Sequence, residues 1–67
     1  MKMERRTVEY EIARQARSCK EVATAAGVTE KTLRKARRGE EIQTATAGRI
    51  AAALGLRLEE IIERGNE

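Results

Sequence analysis

The 67-residue chain has no histidine, proline, phenylalanine or tryptophan, and only one cysteine and one tyrosine. Each absence excludes something. Without histidine and with Cys19 alone, no His/Cys metal cage can be assembled, and Cys19 has neither a resolving thiol nor an activating imidazole for redox sensing. A single cysteine cannot close an internal disulfide, which suits a reducing compartment. With Tyr10 as the sole aromatic, the core has to be built from Ala, Val, Leu and Ile, which favours close-packed helices over sheet. It also leaves no aromatic platform on which RNA bases would stack. No apolar run is long enough to span a membrane and no basic start leads into an apolar signal core, so a cytoplasmic, nucleoid-associated location is expected. There is no glycine-rich phosphate loop, and the pairs Glu40-Glu41 and Glu59-Glu60 read as surface charge. No catalytic residue, metal or cofactor is expected, and the chain is not read as an enzyme.

What is present is basic charge in a particular place. The formal net charge is +3, and the N-terminal half carries the excess. Within residues 30–38, Lys31, Arg34, Lys35, Arg37 and Arg38 stand against Glu30 alone. A basic run is usually a solvated face, so its position in the fold decides what it means.

That position follows from the stretch Cys19 to Arg38. Val22, Ala23 and Ala26 share one face of a helix opened by Ser18 or Cys19. Gly27 can take the left-handed conformation that stops a helix, and Val28 folds back after it as an apolar plug. Thr29 reads as the N-cap of a second helix, because its hydroxyl can accept from a free backbone N–H one turn in. On that helix, at about 100° per residue, Leu33 and Ala36 fall on one side while Glu30, Lys31, Arg34, Lys35 and Arg38 occupy the other. Arg37 falls between the two sides, where a bridge to Glu40 or Glu41 is expected. Ala23 sits where the two helices should cross, its methyl allowing close approach.

These residues resemble the helix-turn-helix of the lambda-repressor and Cro-like family, also called the xenobiotic-response-element family of transcriptional regulators. The resemblance rests on Ala23, Gly27, Val28, Thr29, Leu33, Ala36 and Arg38-Gly39. It continues downstream through Thr46, Ala47, Arg49, Ile50, Ala51, Ala53 to Leu56, Leu58 and Glu59 to Ile62, covering roughly residues 8 to 63. It implies an all-α, compact five-helix domain that binds double-stranded DNA, with helix 30–38 in the major groove and the preceding helix across the backbone. Carried onto this chain, Glu30, Lys31 and Arg34 would contact bases, and Arg17, Lys20, Thr29, Thr32, Lys35 and Arg38 would contact phosphates. Cys19 stands where many members carry a phosphate-clamping Gln, and a thiol is a poor donor. Lys20, Arg17 or the free N–H groups of the helix start are the expected substitutes.

The remaining elements follow from spacing. Val8, Ile12 and Ala16 step by four, flanked by Ala13 and Tyr10, which predicts helix one from about Thr7 to Arg17. Its junction, Arg17-Ser18-Cys19, departs from the family's Gly-Leu-Ser-like turn. Residues 1–7 show charge without a buried face and are expected to form a flexible basic arm, read first as a solvated tail, with phosphate contact through Lys2, Arg5 and Arg6 as the alternative. Gln43 or Thr44 opens helix four, striped by Ala47, Ile50, Ala51 and Leu54, and Gly48 inside it suggests a close neighbour. Gly55 ends that helix. Leu58, Ile61 and Ile62 mark a fifth, ending near Arg64 and followed by a loose 65–67. One domain over residues 8–64 is therefore expected, with the helix-turn-helix at 19–38 and a homodimer, if one forms, through helix five. The alternative from another class is a protein-interaction module, such as an antitoxin or a mobile-element accessory factor.

Overall fold

A computed structural model describes residues 1–62. Its helices are α1 Arg5–Arg14, α2 Cys19–Ala26, α3 Glu30–Arg37, α4 Thr44–Ala53 and α5 Leu58–Ile61. The fold is all-α, and among the described residues a single isolated bridge, Met3 to Ile62, is the only β feature. The expected end of helix five near Arg64 and the expected loose 65–67 lie outside the described residues. α2 packs on both α3 and α4, α1 packs on α3, and α5 packs on α4. The core they enclose holds small and branched side chains, as a chain without large aromatics requires: Val22, Ala23, Leu33, Ala36, Ala47 and Ile50 are each at most 2% exposed.

The corner between α2 and α3 is built by local hydrogen bonds. Ser18 is the N-cap of α2, its Oγ accepting from Glu21 N at 3.1 Å while Ser18 N donates to Glu21 Oε1 at 2.8 Å. This reciprocal pair makes Cys19 the first helical residue. At the far end Gly27 adopts φ +74°, Gly27 N donates to Thr24 O, and Val28 N donates to Ala23 O. This is the glycine-ended arrangement in which a left-handed residue lets the chain satisfy the last carbonyls and turn sharply. A Cβ at Gly27 would meet no atom within 4 Å, so any cost of a side chain there is conformational. Gly27→Val is expected to lower stability by about 1–3 kcal/mol in urea denaturation, because a β-branched residue is strained at positive φ. A midpoint equal to the parent's would show that the corner does not depend on this conformation.

α1 ends in the same geometry without the glycine. Ala16 has φ +53°, Ala16 N donates to Ala13 O and Arg17 N donates to Ile12 O. Helix one therefore stops at Arg14 rather than near Arg17, and Ala16 is exposed instead of extending the Val8 and Ile12 stripe. The departure from the family's turn was visible in the sequence, but an alanine gives no hint of left-handed backbone. Gly48 shows the reverse mismatch: among the described residues, no atom outside its own stretch of helix lies within 4 Å of the position its Cβ would take, so none of them is the expected close neighbour.

Both mismatches are open to substitution. Ala16→Gly relieves roughly 1–2 kcal/mol of left-handed strain and loses part of it, about 0.4–1 kcal/mol, to a freer unfolded chain. Gly48→Ala gains about 1 kcal/mol of helix propensity. Each variant should melt a few degrees above the parent by circular dichroism. A lower melting temperature for Gly48→Ala would mean that its surroundings are tighter than the geometry indicates.

The N-terminal segment corrects the expectation of a flexible arm at residues 1–7. Met3 is 1% exposed and belongs to the core, Glu4 N donates to Ile61 O, and Ile42 N donates to Met1 O. Glu4 then caps α1 by accepting from Thr7 N, so α1 starts two residues before Thr7 and takes in Arg5 and Arg6. A lone buried methionine between charged neighbours has no periodicity, which is why the sequence pattern did not reveal it. In α5, Ile61 is fully buried, while Leu58 and Ile62 are only half-buried.

Candidate nucleic-acid interface

α3 starts at the cap made by Thr29, whose Oγ1 accepts from Thr32 N at 3.1 Å and donates to Thr32 Oγ1 at 2.9 Å. Leu33 and Ala36 are fully buried, which locks the helix by one side and turns the other outward. Lys31, Arg34, Lys35 and Arg38 are exposed on that outer side, and Glu30 is half-buried at its start. Around the helix axis, Lys31 and Arg38 lie along the crest at roughly 80–100° from Glu30. Arg34 and Arg37 fall on one flank, and Lys35 and Thr32 fall on the other.

Ion pairs on this face are weak and exposed. Arg34 Nη2 lies 3.6 Å from Glu30 Oε1 and Arg38 Nε pairs with Glu40. Exposed pairs of this kind contribute about 0–1 kcal/mol, so a phosphate or a base edge can displace them at little cost. Lys31, Lys35 and Lys20 are exposed as well. Of the two threonines, Thr29 spends its proton on Thr32, and Thr32 keeps a hydroxyl proton free to donate outward.

Beside the Thr32 and Lys35 flank runs an open groove of about 710 Å³, closed on its far side by Gln43, Thr44 and Thr46 at the start of α4. Gln43 provides no side-chain cap, so the first N–H groups of α4 have no side-chain partner. Such a helix start attracts anions through its free donors and its dipole. Gln43, Thr44 and Thr46 were read from sequence as the start of helix four but not as contact residues. The available signal was a helix start without a Ser, Asp or Asn cap or an acidic third residue. Glu41 also lines the groove, and the Met1 ammonium beside it holds its carboxyl below the usual carboxylate range.

Two expected contacts are engaged elsewhere. Arg17 Nη1 donates to Ala53 O at 2.7 Å, and Gln15 Nε2 donates to Leu54 O at 2.8 Å, so the α1–α2 junction caps the carbonyl end of α4. The sequence placed Arg17 beside the helix start at Ser18 and gave no sign of this long-range partner. Arg37 reaches neither Glu40 nor Glu41; its Nη1 donates to Cys19 Sγ at 2.6 Å. The position occupied by Cys19 is thus covered by a guanidinium from the neighbouring helix. Among the described residues no three metal-ligating side chains converge, and no helix is long and apolar enough to cross a membrane.

The assembled surface is a short helix presenting four cations outward, with a helix-end groove along one side. Neither the curated proteins nor the solved structures compared with this chain match it. The model of one protein family does, over residues 11–67, which takes in the end of α1 and all of α2 to α5. The chain belongs to the family of Cro/C1-type helix-turn-helix DNA-binding domains.

Proposed function

We propose that this domain is a small transcriptional regulator that recognises a specific operator with α3 in the major groove. The observation that carries the reading is the outward face of α3, where Lys31, Arg34, Lys35 and Arg38 are all exposed while Leu33 and Ala36 anchor the other side. Glu30, Lys31 and Arg34 read bases in this proposal. Arg34 donates two parallel bonds to guanine O6 and N7, Lys31 donates to guanine, and Glu30 accepts from cytosine N4. Lys20, Thr32, Lys35 and Arg38 hold phosphates, joined by the free N–H groups at the start of α4, and they set register without reading sequence. Thr29 supports Thr32 through its cap. Arg17 holds the end of α4 through Nη1 and Ala53 O, and its remaining guanidinium donors are left to contact a phosphate.

Twofold pairing would place two copies of α3 about 34 Å apart, facing successive major grooves. Ile61 is fully buried and cannot form the seam, which leaves the half-buried Leu58 and Ile62.

The test is selection of bound sites from random duplex DNA at two salt concentrations. A partly palindromic motif with half-sites one helical turn apart is the expected result. Enrichment without a motif that vanishes at higher salt would reduce the basic face to nonspecific binding. It would also point to the other class of function, a protein-interaction module such as an antitoxin or a mobile-element accessory factor. Native pull-down of one stoichiometric partner then decides that case.

A further inference from the structure

A chain of side-chain hydrogen bonds runs along the α1–α2 junction to the carbonyl end of α4. Glu11 Oε1 accepts from Arg14 Nε at 3.0 Å, from Arg14 Nη2 and from Gln15 Nε2 at 3.3 Å, and the Glu11 side chain is only 12% exposed. Gln15 Nε2 also donates to Leu54 O at 2.8 Å. With a carboxylate oxygen and a carbonyl both on its nitrogen side, the Gln15 amide has one orientation that satisfies them. That orientation sets Oε1 against Arg17 Nη1, at 3.2 Å. Arg17 Nη1 donates a second bond, to Ala53 O at 2.7 Å. Both Nη1 protons are thereby used, and the guanidinium edge formed by Nε and Nη2 takes part in neither bond. Such an edge is a two-donor fork that matches two oxygens of one phosphate. In a continued helix, residues two apart point to different sides. The left-handed Ala16 between them, at φ +53°, lets Gln15 and Arg17 reach the same end of α4.

We propose that Gln15 is a positioning residue for DNA binding: its amide, oriented by Glu11 and Leu54 O, fixes the Arg17 guanidinium with the Nε and Nη2 fork left for phosphate. The proposal rests on the DNA-binding reading above, which already gives Arg17 a phosphate. It adds the residue that decides how well Arg17 makes that contact. A cap for α4 needs only the donors to Ala53 O and Leu54 O, whereas the bond from Arg17 Nη1 to Gln15 Oε1 does not touch α4 at all. Positioning is what that third bond accomplishes. A free arginine loses rotamer freedom when it binds, and one already held loses little. The negative end of the α4 dipole restrains the same cation from the other side. The start of α2, the helix that crosses the backbone in this reading, follows two residues after Arg17.

Gln15→Met and Arg17→Met are combined in a double-mutant cycle, since methionine keeps side-chain length and helix propensity while removing the polar groups. Affinity for one fixed duplex of mixed sequence is measured across a salt series, at a temperature below the melting transition of every variant. Arg17→Met should lower the slope of log affinity against log salt by about 0.9. Gln15→Met should keep the parent's slope, because the Arg17 charge remains, and weaken binding about three- to tenfold through the regained rotamer freedom. In the Arg17→Met background, Gln15→Met should cause no further loss. An equal loss in both backgrounds, or none in either, would make Gln15 a cap for α4 alone and overturn the proposal. Arg17→Met with the parent's slope would overturn it as well, while leaving recognition by α3 intact; a parent that binds no duplex would overturn both. Should the methionine variants fail to fold, NMR relaxation of the Arg17 Nε–H in the free parent decides. An order parameter close to the rigid backbone value of about 0.85 is expected, and one below about 0.6 would overturn the proposal.

Discussion

Leu33→Ala is expected to unfold a large fraction of the protein at room temperature and to abolish DNA binding with it. Leu33 is fully buried on the inner side of α3, and α3 packs on both α1 and α2. Truncating a buried leucine typically costs about 2–5 kcal/mol, the spread reflecting how far the neighbours can close the cavity. Closure is difficult here, because much of the surrounding core is alanine: Ala23, Ala26, Ala36, Ala47 and Ala51 are already buried with no longer side chain to swing inward. A domain of this size holds only roughly 3–10 kcal/mol in total, so the upper part of the range consumes most of it. Urea denaturation followed by circular dichroism reads the effect directly. A midpoint within a few tenths molar of the parent's would show that the helices do not meet at Leu33 as described.

The same residue shows why this fold was largely legible. Leu33 and Ala36 against a run of exposed cations is a two-sided pattern, and Gly27 and Thr29 are local devices whose conformations follow from their own chemistry. Both act over one helical turn, so the sequence contains the whole cause. The N-terminal segment was not legible for the opposite reason: Met3 is buried by α5 and its neighbours, partners almost sixty residues away, and carries no periodic mark. Ala16 was hidden because alanine does not favour the left-handed backbone it adopts, and its neighbours Gln15 and Arg17 are held by the distant Leu54 O and Ala53 O. Within the interface, the outward lysines and arginines of α3 were found from spacing alone. The diversion of Arg17 to Ala53 O and of Arg37 to Cys19 depends on tertiary neighbours that spacing does not encode. The weakly capped start of α4 lies between these cases, since its missing cap was readable but its place beside Lys35 was not.

Arg34→Ala should change the preferred base at one position of the operator and cost about 1–3 kcal/mol on the parent's best site, with little loss on sites that differ there. The competing demand on Arg34 is its ion pair with Glu30, 3.6 Å long and with both side chains well exposed. That pair contributes about 0–1 kcal/mol, so a bidentate guanine contact outweighs it, and breaking it also frees Glu30 to accept from a neighbouring cytosine. Lys35→Ala provides the contrast. Its position on the α4 side of α3 assigns it a phosphate, so the variant should weaken every sequence alike and lower the salt slope by about one unit. Parallel selection of bound sites and salt titration separate the two roles. If Arg34→Ala instead weakens all sequences equally and flattens the salt dependence, its guanidinium holds a phosphate rather than a base. Base reading would then narrow to Glu30 and Lys31, the two side chains at the very start of α3, and the half-site read directly would be correspondingly shorter.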